Sequence, residues 1–103
     1  MDKKQELSLL KEKITYIDTL LGDYNTENLR QWREETLMIL DILIDQESKY
    51  FNNFENIRYS SAVITMGHYE DNLERHKEAY QSGLGKAKAS LNAIVFGVEK
   101  GLI

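Results

Sequence analysis

The sequence predicts an all-α protein, a bundle of three to four helices with a long C-terminal helix. Three observations carry that expectation. Proline is absent and there are only six glycines in 103 residues, so strong interrupters of helices are scarce. Apolar residues recur at spacings of three and four over most of the chain, the period of a helix with one buried face. The one stretch with β-branched character, RYSSAVITM at residues 58–66, has no second strand to pair with and reads as a connector. The length corresponds to a single helical domain over 1–103.

The first helix is expected from about residue 2 to 21, where Leu7, Leu10, Ile14, Ile17 and Leu21 form one stripe that Leu20 widens. Gly22 is its stop signal. In the GDYNTE turn, Asn25 or Thr26 can accept a backbone N–H and cap the next helix. That second helix, about 26 to 46, turns Leu29, Trp32, Thr36, Ile39, Leu40 and Leu43 inward. A short helix or turn follows a cap at Asp45 or Ser48 and carries Tyr50, Phe51, Phe54 and Ile57. From about His68 to Lys100 the pattern runs unbroken through Tyr69, Leu73, His76, Tyr80, Leu84, Ala87, Leu91, Ile94 and Val98. Such a helix is about 45 Å long, more than a globule of this size needs, so part of its face is expected to be covered by another copy in a homo-oligomer.

Composition narrows the function. The absence of cysteine removes disulfides, thiol nucleophiles and thiolate metal sites, and fits a reducing, cytoplasmic setting. The beginning MDKKQELSLLKEK is charged, and the apolar run from Leu91 to Val98 is interrupted by Asn92 and Gly97, so no membrane span is expected. The formal net charge of −4 is concentrated: residues 23–47 hold seven acids and two bases, an excess of five negative charges. No segment is strongly basic, which speaks against nucleic acid as a partner.

At 100° per residue the excess acids fall on one ridge of the second helix, Glu27, Glu34, Asp41 and Asp45, joined by Asp23 if the helix reaches it, with Met38 and Ile42 on or beside it. Apolar residues on a charged face are candidates for contact with a protein partner, and the carboxylates suit a basic one. On the last helix a ridge of small residues, Gly85, Ala89, Ala93, Gly97 and Gly101, suits close packing against another helix, within the chain or across an oligomer. An alternative is an oligomeric binder of a small charged ligand, such as a nucleotide signal, with Arg75, Lys86 and Lys88 supplying charge.

Catalytic chemistry has little support. Gly83-Leu84-Gly85-Lys86 lacks the spacing and the hydroxyl of a phosphate loop, since Ala87 follows the lysine. His68 and His76 stand two helical turns apart, beyond sharing one ion, and no serine sits in a G-x-S-x-G elbow. Neither a catalytic group, a metal nor a cofactor is expected.

The run LRQWREETLMILDILIDQESKYFNNFENIRY, followed by YQSGLGKAKASLNAIVFGVEKGL, resembles small helical modules found in prophage genes and at one end of bacterial anti-phage or abortive-infection proteins. The resemblance covers about residues 20 to 103. It implies an interaction or assembly unit in defence or counter-defence, with any catalysis in a separate domain. Its motifs are aliphatic and aromatic spacings, so it assigns no site residue.

Overall fold

The computed structural model describes residues 3–59 and 69–103, with side chains in the last helix from residue 75 onward. Among the described residues four helices follow one another: α1 (Lys3–Gly22), α2 (Thr26–Leu43), α3 (Lys49–Glu55) and α4 (Tyr69–Glu99). This is the all-α bundle with a long C-terminal helix that the apolar spacings predict. Residues 60–66 of the expected connector, His68, and the side chains of Tyr69 and Leu73 lie outside the described residues.

Each boundary has a local cause. Asn25 caps α2, its side chain accepting from the N–H groups of Glu27 and Asn28 at 3.1 and 3.0 Å. Ser48 caps α3 through a 3.1 Å bond from Tyr50 N–H, while Asp45 accepts from Glu47 N–H in the preceding turn. α2 ends at Leu43, three residues before the expected limit, because Ile44 is extended, with φ −136° and ψ 164°. The end of α4 is a six-residue cap: Leu102 N–H donates to Gly97 O and Gly101 N–H to Val98 O. Gly101 holds φ at +71°, the left-handed conformation such a cap requires.

α1 is the central element, packing against both α2 and α4, and α3 closes the bundle against α4 and α2. Both α2 and α4 run antiparallel to α1. Lys11 pairs with Glu99 and Asp18 with Lys88 along the α1–α4 seam, and Trp32 Nε1 donates to Lys13 O across the α1–α2 seam at 2.9 Å. The core joins Leu10, Ile17 and Leu20 of α1 to Trp32 and Leu40 of α2, Phe51 and Phe54 of α3, and the α4 row Tyr80, Leu84, Ala87, Leu91, Ile94 and Val98. At about 25 cal/mol per Å² of apolar surface, each large buried side chain contributes roughly 1.5–3 kcal/mol.

Both ends of the α1 stripe depart from the sequence reading, with Leu7 and Ile14 only partly buried. The buried line runs Glu6, Leu10, Ile17, Leu20, one residue out of phase with the expected stripe at each end, so Glu6 is buried beside Leu7, and Leu20 is buried while Leu21 is exposed. From Tyr80 to Val98 α4 keeps its expected face, with Val95 added, and His76 is half-buried. The Tyr80 hydroxyl crosses to the end of α1 and donates to the carbonyls of Leu20 and Asp23 at 2.9 and 3.0 Å. Burial is the main reason its pKa lies above the ordinary tyrosine value.

Candidate functional site

Met38 and Ile42 stand one turn apart on the outer side of α2 and are 69% and 63% exposed. A core helix would bury such residues; here Ile39 and Leu40 already supply the inward face, so these two are surplus to folding. Beside them Leu9 of α1, half-buried, completes an apolar floor with Ile39. Between the two helices lies a groove of about 230 Å³ lined by Glu6, Leu9, Glu35, Met38, Ile39 and Ile42. Among the described residues the ionisable groups lining it are two carboxylates, Glu6 and Glu35, the second of them paired with Lys13.

The α1–α2 seam fixes the groove walls. Trp32 is buried with its indole N–H on Lys13 O, and its ring meets Phe54 edge to face at 6.0 Å. One turn further on, the Thr36 hydroxyl donates to Trp32 O at 2.7 Å, so the polar group in this core row has a partner. On the same side Lys13 forms an ion pair with Glu35, which also accepts from Gln31 at 3.3 Å. The Lys13 hydrogen bond, with the smaller Gln31 contribution, holds the Glu35 carboxyl below the usual range. Glu35 is therefore ionised at neutral pH.

The six residues expected at a partner surface are all exposed, but they do not form one ridge. Glu27, Glu34, Met38 and Asp41 share the outer side of α2, with Ile42 next to them facing the groove. Asp45 lies past the end of α2 in the following turn and leaves the ridge, because the helix stops at Leu43. Leu9, Glu6 and Glu35 are the site residues that sequence reasoning missed. Leu9 gave a signal as an aliphatic residue off the α1 stripe; Glu6 and Glu35 gave none, since only the packing of α1 on α2 brings them to the groove.

The ridge of small residues on α4 divides in two. Gly101 serves the helix cap, and Gly97 makes room for Ile103, whose Cγ1 lies 2.9 Å from where a Cβ would stand. Gly85, Ala89 and Ala93 face outward, and a Cβ on Gly85 would meet nothing within 4 Å. Among the described residues it is the larger stripe on the other side of α4, and not Gly85, Ala89 and Ala93, that faces the core. Phe96, 57% exposed, projects on the same outward side as Gly85, Ala89 and Ala93.

The three basic residues of the ligand reading are not brought together. Lys86 lines an open cleft of about 440 Å³ with Arg58, Asn53, Asn56 and Ser90. Lys88, two positions on, points to the other side and lies 3.8 Å from Asp18. Arg75 is exposed about 16 Å from Lys86 along the helix axis and outside that cleft. Among the described residues no helix is long and apolar enough to cross a membrane, and no cluster of three or more His, Asp or Glu side chains could hold a metal.

No family model matches the chain, and no curated protein or solved structure matches it.

Proposed function

We propose that this chain is a non-enzymatic, cytoplasmic interaction protein of a bacterium or its phage, acting by occupying a surface on a larger protein partner. The observation that carries the reading is the exposure of Met38 and Ile42 over an apolar groove whose ionisable lining among the described residues is Glu6 and Glu35. Two large side chains left in water one turn apart cost the free chain hydrophobic free energy that a partner recovers on binding. The setting in phage defence or counter-defence rests on the resemblance of residues 20–103 to helical modules of those systems. Association of the chain with itself belongs to the same proposal, supported by the outward placement of Phe96 beside Gly85, Ala89 and Ala93.

The test is a photo-activated cross-linker placed at position 38, with a second at Ala89 as a control for the opposite helix. A discrete adduct to one larger protein from position 38, suppressed by Ile42→Asp, is the expected result. Adducts that are equally frequent from both positions and indifferent to Ile42→Asp would sink the reading.

A second reading, a binder of a small charged ligand, keeps one supporting observation, the cleft that holds Lys86 and Arg58 without an acidic partner among the described residues. Titration with inorganic phosphate and a nucleoside triphosphate, followed at the Ser90 and Lys86 amides, separates the two. Saturable shifts that Lys86→Ala removes favour this second reading.

A further inference from the structure

We infer that the α1–α2 groove takes a basic amphipathic helix of the partner, two apolar side chains of which enter beside Met38 and Ile42 while lysines or arginines on its flanks meet the carboxylates. The inference rests on the groove identified in the proposed function and adds what fills it.

Three features select a helix with this charge. The first is size. At about 230 Å³ the groove is below the range of roughly 300–1,000 Å³ typical of sites that enclose a metabolite, and suits one or two aliphatic anchors. Met38 and Ile42 are separated by one turn, about 6 Å along α2, which matches the spacing of side chains at i and i+3 or i+4 on a facing helix. The second is the character of the walls. Both are helices, whose backbone groups are used internally, so the groove offers side chains and no free sheet edge. An extended peptide laid there would lose water from its own N–H and C=O groups without replacement, whereas a helix brings them already paired.

The third is charge. Glu6 stands on the α1 wall and Glu35 on the α2 wall, and Glu34 and Asp41 lie outward of Met38 on α2. Glu35 is already offset by Lys13, Glu34 lies 3.9 Å from the Arg33 guanidinium and Glu6 is largely buried, so the attraction comes from Asp41 and from the excess of acids over bases in residues 23–47. A helix with acidic flanks would place like charges side by side here, and an anionic lipid surface is repelled on the same ground. A basic helix is attracted before contact, so its association is fast and sensitive to salt.

The test uses two synthetic peptides of about 18 residues, long enough to hold a helix when rich in alanine, with identical leucine anchors. One carries lysine on its flanks and the other glutamate. Each is titrated into the full chain while the methyl signals of Leu9, Met38 and Ile42 are followed. The lysine peptide is expected to move those three signals, to bind at least tenfold more tightly than the glutamate peptide, and to weaken about tenfold between 0.05 and 0.5 M salt. The double variant Glu34→Lys, Asp41→Lys, at exposed positions where the fold tolerates change, is expected to erase or reverse the preference.

Equal binding of the two peptides overturns the inference while leaving the groove as a docking surface. Binding of neither, or shifts confined to α4, also overturns it. Methyl shifts that follow protein concentration with no peptide present would place a second copy in the groove and overturn it as well. The cross-linking experiment at position 38 reads the function itself and is independent of the peptide charge, so the two failures are distinguishable.

Discussion

Trp32 donates its indole N–H to the carbonyl oxygen of Lys13 at 2.9 Å, joining the inner side of α2 to the middle of α1. The bond lies one turn before Thr36, and the Lys13 side chain reaches Glu35 beside it. A tryptophan, whose ring could fill the core in several orientations, is thereby held in one. This contact and the apolar packing of α1 on α2 together set the groove between Leu9 and Ile42.

Trp32→Phe keeps a ring in the core but leaves the Lys13 carbonyl with one partner fewer and a smaller volume filled. Stability is expected to fall by about 1–2 kcal/mol, read as a lower urea midpoint with unchanged slope. A loss below about 0.5 kcal/mol would show that the bond does not set the seam.

Two glycines in the same helix are expected to respond in opposite directions to alanine. A Cβ at Gly83 would come within 2.6 Å of Arg58 O and of the Tyr59 ring, so the chain after α3 passes directly over that residue. Gly83→Ala is expected to destabilise by more than about 1 kcal/mol despite the better helix propensity of alanine. At Gly85 nothing lies within 4 Å, and Gly85→Ala is expected to stabilise by about 0.5–1 kcal/mol. Thermal melts of the two variants, side by side, check both.

The Tyr59 hydroxyl is buried with no hydrogen-bond partner among the described residues, and burial pushes its pKa up to about 12. The unfolded chain releases the same proton near pH 10, so between pH 10 and about 12 the folded state holds more protons and loses stability as pH rises. Tyr59→Phe removes that contribution. The variant's urea midpoint is expected to fall less steeply than the parent's over this window, and to match or exceed the parent's at pH 7. Identical slopes would place the Tyr59 hydroxyl in water.

Self-association along α4 is tested by Ala93→Glu, an exposed position at which the fold has no stake. Sedimentation equilibrium is expected to show the variant shifted toward the 12.0 kDa monomer relative to the parent. An unchanged mass distribution would remove the outward side of α4 from the proposal.

Most of the fold was legible because helical period and end signals act locally. The α4 row from Tyr80 to Val98 stands where spacing puts it, and each cap is one of the two residues offered by side-chain type, Asn25 over Thr26 and Ser48 over Asp45. What was not legible depends on how helices meet. Leu20 and Leu21 are equivalent on paper, and only the approach of α2 and α4 decides which is buried. The small ridge of α4 looked uniform, yet Gly97 and Gly101 answer to a tail that folds back, while Gly85, Ala89 and Ala93 are exposed among the described residues. Met38 and Ile42 were identifiable from α2 by itself. Leu9 and Glu6, on the facing wall, required the packed pair.

The functional proposal stands or falls on whether Met38 and Ile42 are exposed for the sake of a partner. The affinity of the protein cross-linked from position 38 decides this when measured for three forms of the full chain: the parent, Ile42→Asp, and Lys86→Ala. Because position 42 is exposed, Ile42→Asp is expected to change stability by no more than about 0.5 kcal/mol, and yet to weaken binding at least a hundredfold, with Lys86→Ala binding as the parent does. Parent-like affinity of Ile42→Asp, in a chain whose melting temperature is unchanged, would show that these two side chains are not exposed for a partner.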